Sequence, residues 1–384
     1  MAPPSKKPEK ELPEHLIHQL LLPRLPFKCL RRIMCTSTNL HSLINADAQF
    51  AADQARWAAI SRSSFVYMSR SGLFFFPDPS LVGVPDPSLS FLEPTPSSEI
   101  KLICSTNGIL LLCGEFGGLK SLCVCNPATQ EKAFVPDKNM TKDYGRWEMG
   151  LCYDPWESLD RYTIVTPIFH CKGDGKDYQF DVFSSDTGEW TLSSWSVYVD
   201  TEYVPCKPIC AKGVIYWECG NYLLWYDTRK NLAGSITLPA MDGLIDIGVC
   251  ENELVCCHSW ARGIEVWRLT GGSCWERLHW VNWDGVIDHA YSFCHRMQLR
   301  GTSQSEMFYC RRFIRPVGFD GQFVYIAVRL KFRDRTERIF AWDTKTGRVE
   351  KKGVITIRGK CRADQVFNYA NSMARMPQIL SRTS

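Results

Sequence analysis

ICAKGVIYWECGNYLLWYDTRKNLAG, residues 209–234, decides how the chain is read. A polar turn, an alternating apolar stretch, a second apolar stretch and a turn carrying Asp227 and Thr228 follow one another without a gap. Alternation with period two is the mark of strands with one face buried, and Asp and Thr side chains can hydrogen-bond the backbone two residues ahead to fix a tight turn. The same unit recurs as LCVCNPATQEKAF near Asn126, FDVFSSDTGEW near Asp186, IEVWRLTGGSCWERL near Thr270 and IFAWDTKTGRVEKKG near Asp343. Between turn threonines the spacing is 41 residues from Thr187 to Thr228 and 42 from Thr228 to Thr270. It is longer from Thr129 to Thr187, at 58, and from Thr270 to Thr344, at 74, so insertions or a degenerate copy interrupt the period.

A period near forty with several short strands per unit is what β-propeller blades require, because a four-stranded sheet buries its two faces only by stacking radially on its neighbours. Half-copies such as ICSTNGILLLCG, IGVCENELVCCHSW and VGFDGQFVYIAVRLKF support the pattern. The expectation is a propeller of six or seven blades over 100–375, with a pair of β-sandwiches as the alternative. The chain has 384 residues, 45% of them apolar and 22% charged, which suits a folded repeat array.

Ahead of this body, residues 8–60 read as short helices. Pro13 suits a first turn, Leu16, Leu20 and Leu21 recur at one-turn spacing, and Pro23 stops the segment. A second helix fits from about Lys28 to Cys35, Ser37-Thr38-Asn39 offers a cap for a third, and NADAQFAADQARWAAI reads as a fourth with Phe50, Trp57 and Ile60 near one face. Residues 61–99 read as a linker whose loop repeats PDPSL, since prolines at that density cannot donate into a sheet. Residues 376–384 form a tail.

The formal charge of +4 is too small to argue for nucleic-acid or membrane attraction, and no apolar run reaches the roughly 18 residues of a membrane span. The local balance differs: ten Lys/Arg face four acids between Arg296 and Arg338. The opening MAPPSKKPEKEL lacks a signal peptide's apolar core, so the eighteen cysteines are expected as reduced thiols and the chain in the nucleus or cytoplasm. No C-x-x-C occurs, and Cys256-Cys257-His258 has no second ligand pair, so neither metal nor cofactor is expected. Asn139-Met140-Thr141 is a formal glycosylation sequon that means little in a chain that is not secreted.

The helical prefix resembles the F-box. RLPFKCLRRIMCTSTNLHSLI from Arg24 matches that pattern at Arg24, Leu25, Pro26, Lys28, Leu30, Arg32, Ser42, Leu43 and Ile44, and LPEHLI from Leu12 supplies the other half. It departs by one extra residue between the two Leu-Pro pairs, with Pro23 as the extra, and by Leu40 and Thr38 in place of the usual tryptophan and basic residue. STNGILLLCG followed by VCNPATQEKAF is similar to the opening of the associated kelch-like repeat region of plant F-box proteins. The resemblance implies a substrate receptor of a Skp-cullin-F-box ubiquitin ligase, in which the prefix docks on a Skp-type adaptor, the cullin scaffold is reached indirectly and the propeller captures a protein target. By motif position it implies Leu12, Pro13, Leu16, Leu20, Leu25, Pro26 and Leu30 for the adaptor, of which Leu16 and Leu30 also suit the module's interior. An F-box-derived interaction protein that assembles no ligase is the alternative.

No chemistry competes with this reading. SSDTGEW, residues 184–190, is one residue short of a sialidase aspartate box and is read as a blade turn. Neither G-x-S-x-G, H-E-x-x-H nor a phosphate-binding G-x-x-x-x-G-K-[ST] loop occurs, so a non-catalytic subunit is expected. For the target, Arg311, Arg312 and Arg315 could grip an acidic or phosphorylated peptide, with Trp283 and Tyr291 in VNWDGVIDHAYSF as a second candidate contact.

Overall fold

The computed structural model describes residues 13–60, 64–69, 72–76, 83–95, 100–136, 148–172, 175–239, 243–260, 263–282, 314–328, 336–356 and 366–376. Its strands form six antiparallel sheets, so the propeller has six blades. Five are consecutive and four-stranded, at 101–135, 150–199, 206–237, 244–282 and 314–356. The sixth joins the two ends of the chain: Phe367–Tyr369 forms the inner strand, and Ser64–Ser69 and Gly72–Phe76 stand outside it. Val66 pairs with Phe367 and Ser64 with Tyr369. The stretch 61–99, read as a linker, therefore supplies two strands of the closing blade. In the second PDPSL copy, Pro87 accepts from the Leu73 N–H at 2.8 Å and Thr95 N–H donates to Glu115 at 3.1 Å, while Leu89 and Leu92 are buried between closing and first blades. The first copy lies outside the described residues.

The turn chemistry follows the sequence. Asp227 Oδ1 accepts from the N–H groups of Arg229 and Lys230 at 3.0 and 3.2 Å, and Asp343 Oδ1 from those of Lys345 and Thr346 at 2.9 and 3.3 Å. The next residue ties this turn to another in its blade: Thr228 donates to the Gly213 carbonyl at 2.8 Å and Thr344 to that of Gln322 at 2.9 Å. SSDTGEW is the turn leading into the outer strand Glu189–Val199.

The inner strands are largely buried on both faces. Leu102 to Thr106 are all buried, and Ile103, Leu151, Ile209, Ile247 and Tyr369 share one core cluster. The strand Cys206–Ala211 touches Lys101–Thr106 two blades away, so the axis is narrow and packed with side chains. Gly318 allows Phe65 to cross between fifth and closing blades, because a Cβ there would stand 2.3 Å from its ring. Phe65 then meets Tyr325 edge-on at 4.8 Å and stacks on Phe76 at 5.1 Å.

Closure is reinforced behind the inner strand. Asn126, fully buried, donates Nδ2 to the carbonyls of Ser372 and Ala374 at 3.0 and 2.7 Å and accepts from Ala128 N–H at 2.9 Å. Ser372 Oγ donates to the Asn107 carbonyl at 2.9 Å across Gly108, whose left-handed φ of 86° and missing Cβ the contact requires. Replacing Asn126 with Ala strands two buried carbonyls and one N–H, and should cost about 2 to 4 kcal/mol. Urea denaturation should show this as a lower midpoint at unchanged slope.

Candidate functional site

Each blade begins with its inner strand, so the first residues of the inner strands and the links between blades gather at one end of the ring, the mouth. The turns between first and second and between third and fourth strands gather at the other, the base. The helices sit on the base. Helix Ala48–Ile60 is capped by Asp47, whose Oδ1 accepts from Gln49 and Phe50 N–H at 2.8 and 3.2 Å. It buries Ala51, Ala52, Ala55, Ala58 and Ala59. Small side chains allow close approach, and Gln54, 2% exposed, accepts from Met373 N–H at 2.6 Å while donating to the Asn371 carbonyl at 3.4 Å. Arg56 reaches the Pro155 carbonyl at 2.9 Å, and Arg375 the Asn45 carbonyl at 2.6 Å. The helix presents its alanines inward; Phe50 is buried in the small helical core, whereas Trp57, two turns along the same face, and Ile60 are exposed. Trp57 instead lies beneath the Arg24 guanidinium, 5.1 Å from its ring centre.

Helices Phe27–Met34 and Thr38–Ala46 close a small core of Leu22, Phe27, Leu30, Met34, Ile44 and Phe50 against Ala128 and Met373 of the propeller. Before them, Ile17–Leu21 is a π-helical turn in which Leu22 N–H donates to the Ile17 carbonyl. An i to i+5 bond holds one residue more than an α-turn. Pro23 is buried in the following 3-10 turn, Leu22–Arg24.

Of the residues implied for adaptor docking, Pro13, Leu20 and Pro26 are exposed, Leu16 and Leu25 are half-buried, and Leu30 is fully buried in the helical core. Leu12 lies outside the described residues. Leu20 and Leu21 expose 48% and 47% of their surface, and with Trp57 and Ile60 they leave apolar area on the helices that the other described residues do not cover. The sequence places Trp57 and Ile60 near one face without showing which face is buried; the alanines at one-turn intervals are the signal for the buried one.

At the mouth, Arg315 donates from Nε and Nη2 to Oε2 of the buried Glu337 at 2.9 and 2.7 Å. Arg311, Arg312, Trp283 and Tyr291 lie outside the described residues. The sequence did not reveal that Lys207 bonds Asp246 in the next blade, both of them buried. Burial pushes the Asp246 carboxyl up, while Lys207 and more weakly Arg315 pull it down, so the pair serves to register two blades at the mouth rather than to offer free charge. Lys176, also buried, donates to the carbonyls of Thr201 and Tyr203 at 3.2 and 3.1 Å and to that of Glu202. Burial alone pushes the Glu148 carboxyl up to about 7.

With this geometry in hand, residues 77–267 match the family described as the F-box associated beta propeller domain. Over that stretch the chain is similar to F-box-associated β-propellers. A protein of Arabidopsis thaliana named "Putative F-box protein" is 27% identical over 216 residues, covering 53% of this chain and 54% of that one. The chain thus spans about half the length of the curated relative it matches. Among solved structures, the nidogen/laminin complex has a chain at TM-score 0.40 and 9% identity, covering 81% of this chain and 99% of that one. The β-propeller domain of the trilobed protease from Pyrococcus furiosus follows at 0.35 and 7%, covering 67% and 70%.

Two outcomes follow from the placement of these groups. Leu20→Asp, on the exposed turn, should leave the melting temperature nearly unchanged, whereas Leu30→Asp should abolish the folded helices by burying a charge, as circular dichroism would read. A carboxyl whose folded pKa lies above its unfolded value binds protons better when folded, so Glu148 should make stability fall as pH rises from 4.5 to about 7. Glu148→Gln should flatten that stretch of the pH–stability curve.

Proposed function

We propose that this protein is a substrate receptor of a Skp-cullin-F-box ubiquitin ligase. The helices on the base dock on a Skp-type adaptor, the cullin is reached through that adaptor, and the opposite mouth receives a protein target in the nucleus or cytoplasm. The observation that carries this reading is the uncovered apolar surface of Leu20, Leu21, Trp57 and Ile60 on helices anchored to an F-box-associated propeller. Each leucine desolvated there would contribute roughly 1.5 to 3 kcal/mol, enough for a few of them to hold an adaptor. F-box-associated propeller proteins are in general non-catalytic, and the receptor's contribution is to raise the effective concentration of target lysines near the transferring enzyme. Plant origin and kelch-like repeats are part of the same reading.

Co-expression with a Skp-type adaptor tests it. The wild-type chain should elute as a one-to-one complex, and Leu20→Asp with Leu21→Asp should release the adaptor while the chain stays folded. A folded wild-type chain that binds no adaptor would instead make this a propeller interaction protein outside any ligase.

A further inference from the structure

The mouth of the second and third blades carries an exposed aromatic and acidic crest at 198–204. Tyr198, Tyr203 and Val204 expose 50%, 58% and 46% of their surface within seven residues, so they form a patch rather than scattered single side chains. Asp200 and Glu202 between them are exposed, and Asp177 stands opposite Tyr198 in the sheet register, with His170 next in line. The crest is preformed. Tyr198 lies over Gly175, where a Cβ would meet its hydroxyl at 2.5 Å, and Tyr203 lies over Gly220, where a Cβ would meet its ring at 2.6 Å. Lys176 pins the backbone from beneath through the carbonyls of 201–203, and Tyr178 donates its hydroxyl to the Tyr203 carbonyl at 3.3 Å.

The charges decide what such a crest accepts. Lys207 is spent on Asp246 and Arg315 on Glu337, while the buried Lys176 ammonium, held by backbone carbonyls, offsets one charge and leaves the carboxylates of Asp177, Asp200 and Glu202 in excess around it. Exposed tyrosine faces beside carboxylates suit a guanidinium or ammonium, which stacks on the ring and pairs with the acid together.

We propose that the crest 198–204 is a docking surface for an extended, Arg- or Lys-bearing segment of the target protein. This rests on the receptor reading for the word target, but not for the binding itself, which the chain performs without an adaptor. Fluorescein-labelled hexa-arginine and hexa-glutamate peptides, titrated by anisotropy into the full chain at about 50 mM salt, test it. The overall charge of +4 opposes a basic peptide, so binding of hexa-arginine must come from a local acidic site. Hexa-arginine should bind, more weakly as salt rises, and hexa-glutamate should not. Asp200→Lys with Glu202→Lys should weaken hexa-arginine at least about tenfold, and Tyr203→Ala should weaken it without changing the charge. All these side chains are exposed, so an unchanged melting temperature certifies the fold. Hexa-arginine that fails to bind, or that binds the charge-reversed variant as tightly as the wild type, overturns the proposal. Adaptor binding stays the same in either case, which keeps this test separate from that of the receptor reading.

Discussion

Everything in this molecule depends on how the last described residues, 366–376, are held. A propeller blade stacks only on its two neighbours, so an open ring leaves two sheet faces bare. Here three residues, Phe367–Tyr369, supply the inner strand that closes it, and they are fixed from several directions. Val66 pairs with Phe367 on one side, Ser105 Oγ donates to the Asn368 carbonyl at 2.9 Å, and Asn368 Oδ1 accepts from Val249 N–H at 3.0 Å. Asn126 then grips the two carbonyls that follow, and Gln54 takes the N–H of Met373. Propeller closure and helix attachment are thus made by one segment.

That economy has a mechanical consequence. The helices that carry Leu20 and Leu21 do not hang from a flexible tether, because Ala128 and Met373 are part of their core and Met376 N–H is taken by Glu131 at 2.6 Å. The alanine face of Ala48–Ile60 sits directly on the propeller base. Under the receptor function proposed above, the distance and angle between base and mouth would be set by a packed body, which is what positioning a lysine for transfer demands.

Much of this was legible in the sequence because turn chemistry is local. Asp227, Thr228, Asp343 and Thr344 do what Asp-Thr turns between strands predict, in the third and fifth blades alike. Closure was not legible, since Ser64–Ser69 and Phe367–Tyr369 lie some three hundred positions apart and neither repeats the motif. The same reason hid the linker's role as strands. At the helices the leucine spacing was informative, yet which leucines face outward depended on where the alanines of 51–59 found their partner. Charged pairs such as Lys207 with Asp246 connect neighbouring blades and carry no signature within either blade alone.

Native-state hydrogen exchange tests the central claim most directly, that ring closure and helix attachment are one structural unit. The amides of Ala51 to Ala59, of Phe367 to Tyr369 and of Met373 should open together, with one free energy close to that of global unfolding and the same denaturant dependence. Helix amides that exchange at a much lower free energy than the closing strand, while the strand stays protected, would contradict it.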